Sequence, residues 1–120
     1  MPEAIVAGFG VNLATHPAVE GRETASLAGR LWVHSAAEFH EHLASEFARW
    51  LAVWRRDGLA PVIARWEEQA HPLGTALVSN MSDGSSVPGI FDGLASDGAL
   101  RLRLADGTTR VIHAADVFLV

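Results

Sequence analysis

The sequence predicts an α+β fold, a strand and two helices followed by a small SH3-like β-barrel. Three observations predict it. A capping box, Ser35-Ala36-Ala37-Glu38, opens a run of apolar residues at helical spacing. All four tryptophans, Trp32, Trp50, Trp54 and Trp66, precede His71-Pro72. Beyond that point the Asp-Gly pairs at 83–84, 97–98 and 106–107 separate short apolar runs, as hairpin turns do. The expected division is therefore residues 1–71 and 72–120.

Ala4-Ile5-Val6-Ala7 is continuously apolar, as a strand covered on both faces should be. It continues through Gly8-Phe9-Gly10-Val11-Asn12-Leu13, whose two glycines suggest a close approach by a ligand or another backbone. Residues 15–30 are small, polar and glycine-containing, and read as a loop. The first helix runs from Ser35 to about Arg56, with Phe39, Leu43, Phe47, Trp50, Leu51 and Trp54 on one face. Arg55 and Arg56 suit its C-terminal dipole, and Asp57-Gly58 ends it. A second helix starts near Pro61 and stops before His71-Pro72. Strands are expected near 75–80, 86–92, 98–104, 109–113 and 117–120. Leu100, Leu102 and Leu104 alternate with Arg101 and Arg103, giving one buried and one wet face. Five short antiparallel strands in so few residues suggest the barrel.

Composition narrows the chemistry. An apolar share of 49% against 19% charged is a globular composition. The net charge of −5 argues against a protein that works by neutralising phosphates, so no nucleic acid partner is expected. The basic residues are all Arg, with no Lys, which excludes Schiff-base and Walker-lysine chemistry within these 120 residues. Cysteine is absent, so there is no thiolate nucleophile, disulfide or Cys-based zinc site. No signal-like or membrane-spanning segment is visible, and a cytoplasmic protein with no membrane partner is the expectation.

Candidate sites are few. Gly8, Gly10, Val11 and Asn12 form either a strand against which a ligand lies or a bent core strand. The Asn12 amide offers a paired donor and acceptor suited to a purine edge. This is no dinucleotide fingerprint, since the third glycine is missing and no helix follows. His40-Glu41-His42 places its two histidines on different helix faces, so it reads as a solvated surface, and no metal site is expected. Trp50 and Trp54 read as packing rather than a base-stacking platform.

Four stretches carry a resemblance to the C-terminal part of bacterial biotin protein ligases. Ala4 through Leu13 is similar to the family strand that reads G-I-G-I-N or G-x-G-V-N. Glu23-Thr24-Ala25-Ser26-Leu27 resembles the A-T-S-L segment after the adenylate loop, with its middle pair reversed. Trp50 through Trp66, with Gly58-Leu59-Ala60-Pro61, resembles the closing helices of the catalytic domain. Gly89-Ile90-Phe91-Asp92-Gly93, Asp97-Gly98-Ala99-Leu100 and Ala115-Asp116-Val117-Phe118-Leu119-Val120 resemble the C-terminal SH3-like domain. The family's G-R-G-R-x-x-R-W biotin loop, its K-W-P-N-D strand and its catalytic lysine have no counterpart here.

The resemblance implies a ligase that joins biotin to a carrier lysine through biotinyl-5′-AMP, using ATP with Mg²⁺. It implies that Gly8, Gly10, Val11, Asn12, Ala25 and Ser26 bind biotin and the adenylate, and that residues 13–26 cover the adenine. No catalytic residue is expected in this chain, which by itself should be inactive. The implied partners are biotin carboxyl-carrier protein, and either a complementing N-terminal ligase half or a second copy through self-association. A non-catalytic interaction module built on the barrel is the alternative.

Overall fold

The computed structural model describes residues 3–30 and 35–120. Trp32 lies outside them. The chain forms two compact units, Met1–Glu46 and Phe47–Val120.

In the first unit, residues 4–13 form no regular element and belong to no ladder, and Ile5 and Val6 are each 93% exposed. The expected buried strand is therefore not formed. Its pattern demands neighbours on both edges and both faces, and the exposure of Ile5 and Val6 shows that the described residues do not bury it. The segment 14–24 loops back, and a 3-10 turn follows at Ala28–Arg30. Helix α1 spans Ala36–Asp57. Its capping box forms as the sequence requires. Ser35 N–H donates to Glu38 Oε2 at 2.8 Å, and Glu38 N–H donates to Ser35 Oγ at 3.2 Å. These bonds satisfy donors that the first helical turn cannot satisfy itself. At the other end Gly58 takes φ +78° and donates its N–H to Trp54 O at 2.9 Å. No residue of α1 is buried, and Trp54 on the apolar stripe is 52% exposed.

The second unit contains helix α2, Ala60–Gln69, with Pro61 in its first turn as expected. Five strands follow: β1 (Ala76–Asn80), β2 (Ser86–Leu94), β3 (Leu100–Arg103), β4 (Thr109–Ile112) and β5 (Asp116–Leu119). They form one antiparallel sheet in the order β4-β3-β2-β1-β5. All five strands lie where the sequence puts them. The sheet is not closed into a barrel, because β4 and β5 end it without pairing to each other. Strand count follows from turn spacing, whereas closure depends on a pairing that no local signal specifies.

The three Asp-Gly turns share one construction. Gly84, Gly98 and Gly107 have φ near +85° (+86, +86 and +84). Each Asp carboxylate accepts the backbone N–H two residues on, Asp83 from Ser85 at 2.8 Å, Asp97 from Ala99 at 3.0 Å and Asp106 from Thr108 at 2.9 Å. These local bonds fix hairpin register before any core forms.

The core lies in the sheet unit. Leu77, Val87, Phe91, Leu102 and Ile112 form its buried cluster, with Leu102 fully inaccessible. Leu100 and Leu104 are half-buried while Arg101 and Arg103 face solvent, as the alternation predicts. Helix α2 packs on β2 by an edge-to-face contact of Trp66 on Phe91, ring centroids 6.2 Å apart. Such pairs contribute roughly 0.5–1.5 kcal/mol beyond area burial. Glu67 adds a polar anchor, its Oε1 accepting the Leu94 N–H at 2.9 Å. Strand β2 shifts register between Phe91 and Leu94, where Gly93 takes φ +81°. A Cβ there would sit 3.0 Å from Glu67 Oε1, so glycine admits both the irregular backbone and the anchor.

Candidate functional site

The expected site residues lie in the first unit, and hydrogen bonds bring several of them together. Asn12 Nδ2 donates to the Ala25 carbonyl at 3.1 Å. Leu27 N–H donates to Asn12 O at 3.0 Å, and Ala28 N–H to Leu13 O at 2.9 Å. These bonds form a neck that closes residues 14–24 into a loop. A second rung crosses its middle. Thr24 Oγ1 donates to Pro17 O at 2.5 Å, so the 2.6 Å contact between His16 Nδ1 and Thr24 Oγ1 has the imidazole as donor. At the tip Val19 and Arg22 form an isolated bridge around Gly21, with Arg22 N–H to Val19 O at 3.2 Å. A segment that composition marks only as polar is thus stitched at three levels.

Gly8 and Gly10 stand apart from this neck. Neither takes a positive φ, and a Cβ built on either meets nothing within 4 Å. Neither a positive φ nor a neighbour among the described residues requires glycine there. Both leave free space beside the backbone, which is what a flat ligand or a second backbone needs. Val11 is 47% exposed, Ala25 is exposed and Ser26 is half-buried. Asn12 spends one amide hydrogen on Ala25. Its Oδ1 and second hydrogen meet no other partner among the described residues.

His40 and His42 are exposed on α1, as a solvated helix face should be. Among the described residues no three His, Asp or Glu side chains gather as a metal site. None of the helices described is long and apolar enough to cross a membrane.

The second unit holds a concavity that the sequence did not disclose. A pocket of about 350 Å³ opens between α2 and the sheet, with Trp66, Phe91, Leu100 and Ile112 in its walls and His113 in its lining. His113 Nε2 lies 3.0 Å from Asp97 Oδ2. In the sequence Asp97 signals only a turn, and His113 reads only as the end of the strand expected at 109–113. The pairing joins residues 16 positions apart, which no local pattern encodes.

Comparison with known proteins supplies the kinship. Residues 80–120 match the family described as the biotin protein ligase C terminal domain. Over 122 aligned residues the chain is 38% identical to a biotin–[acetyl-CoA-carboxylase] ligase of Paracoccus denitrificans, covering 97% of this chain and 50% of that protein. The chain thus spans about half the length of that relative. Its fold is similar to the crystal structure of biotin protein ligase from Aquifex aeolicus, with TM-score 0.74 at 14% identity, covering 92% of this chain and 50% of that one. The apo structure of the same ligase matches with TM-score 0.74 at 11% identity, covering 91% and 50%.

Proposed function

We propose that this chain, which corresponds to the C-terminal part of a biotin protein ligase, supplies the adenylate-covering loop and C-terminal domain of such an enzyme. Residues 1–71 then close the catalytic portion, and residues 72–120 are an SH3-like C-terminal domain. The reaction assigned is the cytoplasmic, ATP-dependent attachment of biotin to a lysine of a biotin carboxyl-carrier protein. Biotin's carboxylate attacks the α-phosphate of ATP and pyrophosphate leaves. The carrier amine then attacks the acyl carbon of biotinyl-5′-AMP, and AMP departs.

The observation that carries this reading is the Asn12–Ala25 hydrogen bond. It joins the G-x-G-V-N-like stretch to the A-T-S-L-like stretch, the two segments that the resemblance makes the adenylate site. Asn12 keeps a donor and an acceptor for the adenylate, while Gly8 and Gly10 leave the space in which biotin lies on the backbone. Residues 14–24, held at the neck, exclude water from the mixed anhydride. Water exclusion protects a reactive acyl phosphate and strengthens every nearby electrostatic interaction. Val11 and Ser26 complete the lining.

The chain's own residues provide binding rather than activation. Bringing a carboxylate to a phosphate needs cationic groups to offset the developing charge. There is no lysine in the sequence. The Mg²⁺ that accompanies ATP finds no cluster of three acidic or His side chains among the described residues. The 120-residue chain by itself is assigned no ligation.

Calorimetric titration with a stable biotinyl-5′-AMP analogue tests this. Saturable binding is expected, weakened at least about tenfold by Asn12→Ala, the loss of hydrogen bonds to a largely desolvated ligand. Purified chain should leave a carrier protein unmodified. Absence of ligand binding together with a cooperative melt of the sheet unit would instead favour an interaction module. Biotinylation of the carrier by the chain alone would refute the assigned division of labour.

A further inference from the structure

The pocket in the sheet unit lies on residues to which the ligase reading gives no task. Its floor is made from the core itself. Leu77, Phe91 and Ile112 are 6%, 4% and 4% exposed, yet all three border the cavity. Protein interiors tolerate few voids larger than a water molecule, because lining atoms then lose contact partners. A space of about 350 Å³ against core side chains falls in the size range of small-molecule sites. Trp66 forms a flat wall, held edge-on to Phe91 at an interplanar angle of 72°.

His113 in the lining, with Asp97 bound to it from outside the lining, defines the ligand further. Asp97 Oδ1 is occupied by the Ala99 N–H, and Asp97 Oδ2 accepts from His113 Nε2. That bond puts a proton on Nε2, so the ring in its neutral form offers Nδ1 as an acceptor. An acceptor in an apolar pocket asks for a ligand with an N–H or O–H donor. Asp97 is ionised at neutral pH and repels an anion at the same place.

We propose that this pocket binds a small, uncharged aromatic molecule bearing one N–H or O–H donor, with its rings beside Trp66 and its donor on His113. Trp66, Leu100 and Ile112 supply the apolar contact. His113, oriented by Asp97, sets the preference for a donor. This site lies wholly within the second unit and does not depend on the adenylate reading.

Indole and benzofuran are matched probes, the same size and shape with and without an N–H. Each is titrated into the full chain at neutral pH, by calorimetry and by two-dimensional NMR. Both should bind saturably, with dissociation constants of roughly a millimolar or tighter for ligands of this size. Indole should bind about fivefold tighter, the value of one neutral hydrogen bond. His113→Phe, at a side chain 72% exposed, should erase that preference while keeping benzofuran. Ala115→Leu should abolish both by filling the cavity. If that variant unfolds, Ala114→Leu, at an exposed lining position, takes its place. Lack of saturation by either probe overturns the proposal, as does binding that survives the filling variant. Equal affinities for the two probes in the unmodified chain overturn the donor assignment.

Discussion

Gly89 on β2 offers a sharp test of how the sheet is held. Its backbone is unremarkable, with no positive φ, so conformational preference does not explain the residue. The explanation is approach. A Cβ at Gly89 would lie 2.5 Å from Leu102 Cγ, 2.8 Å from Arg103 O and 3.0 Å from Leu102 Cδ1. Leu102 is fully buried and has little room to retreat. Arg103 O is main chain in a strand paired on both sides, with Ile90 and with Thr109, so it yields only if the sheet moves. Gly89→Ala therefore overpacks the centre of the core. Overpacking costs about 1–3 kcal/mol, and a backbone obstacle argues for the upper half of that range. For a domain of this size each kcal/mol moves the midpoint by about 4–8 °C, so a fall of roughly 10–20 °C is expected. Thermal and urea unfolding followed by circular dichroism measure it. A double-mutant cycle with Leu102→Ala supplies a second constraint. The truncation alone should cost about 3–5 kcal/mol. Adding Gly89→Ala to it should cost less than in the parent, because two of the three obstructing atoms are gone. A Gly89→Ala protein that melts within about 2 °C of the parent would refute the close-approach argument.

Three further outcomes follow from particular groups. Ser79 Oγ is buried on β1 with no hydrogen-bond partner among the described residues, so Ser79→Ala should be neutral or stabilising by up to about 1–2 kcal/mol, read as a higher urea midpoint at unchanged slope. The carboxyls of Asp83, Asp97 and Asp106 are held below the usual carboxylate range. The main causes are the Ser85 hydroxyl, the Ala99 N–H and the Thr108 hydroxyl respectively. Lowered folded values mean that the unfolded chain binds more protons in the acid range. Stability should thus be fully present above the unfolded value near pH 3.9 and fall as pH drops through the folded ones, and Asp106→Asn should flatten that acid limb. The exposed apolar run with Ile5 and Val6 should drive self-association or capture of a complementing ligase half. Sedimentation should be concentration-dependent and Val6→Asp should weaken it, whereas a sharp monomer at high concentration would exclude the self-associating form.

What the sequence discloses, and what it withholds, follows the range of the interaction concerned. Helix α1 was legible because Ser35 and Glu38 satisfy each other three residues apart, and both hydrogen bonds form. The five strands were legible because each Asp-Gly turn closes on a residue two positions away. Closure into a barrel was not legible. It rests on β4 meeting β5, and the sheet instead ends on both. Residues 4–13 show the same limit from the other side. Continuous apolarity predicts burial on both faces, but burial belongs to the surroundings, and Ile5 and Val6 stand 93% exposed. The candidate site divides likewise. Asn12, Ala25 and Ser26 were reached through resemblance, and the structure adds the bond from Asn12 to Ala25. Glu67 on Leu94 N–H and His113 on Asp97 were missed, because each joins elements that only the folded sheet brings together. These two contacts also explain features that seemed purely local. Gly93 is small because Glu67 sits 3.0 Å from where its Cβ would be. Asp97 stabilises its own turn through Oδ1 and reaches the β4–β5 linker through Oδ2. A turn residue that holds two elements at once is under two constraints. Asp97→Asn should therefore weaken the sheet more than the same change at Asp83, whose carboxylate accepts from Ser85 within its own turn.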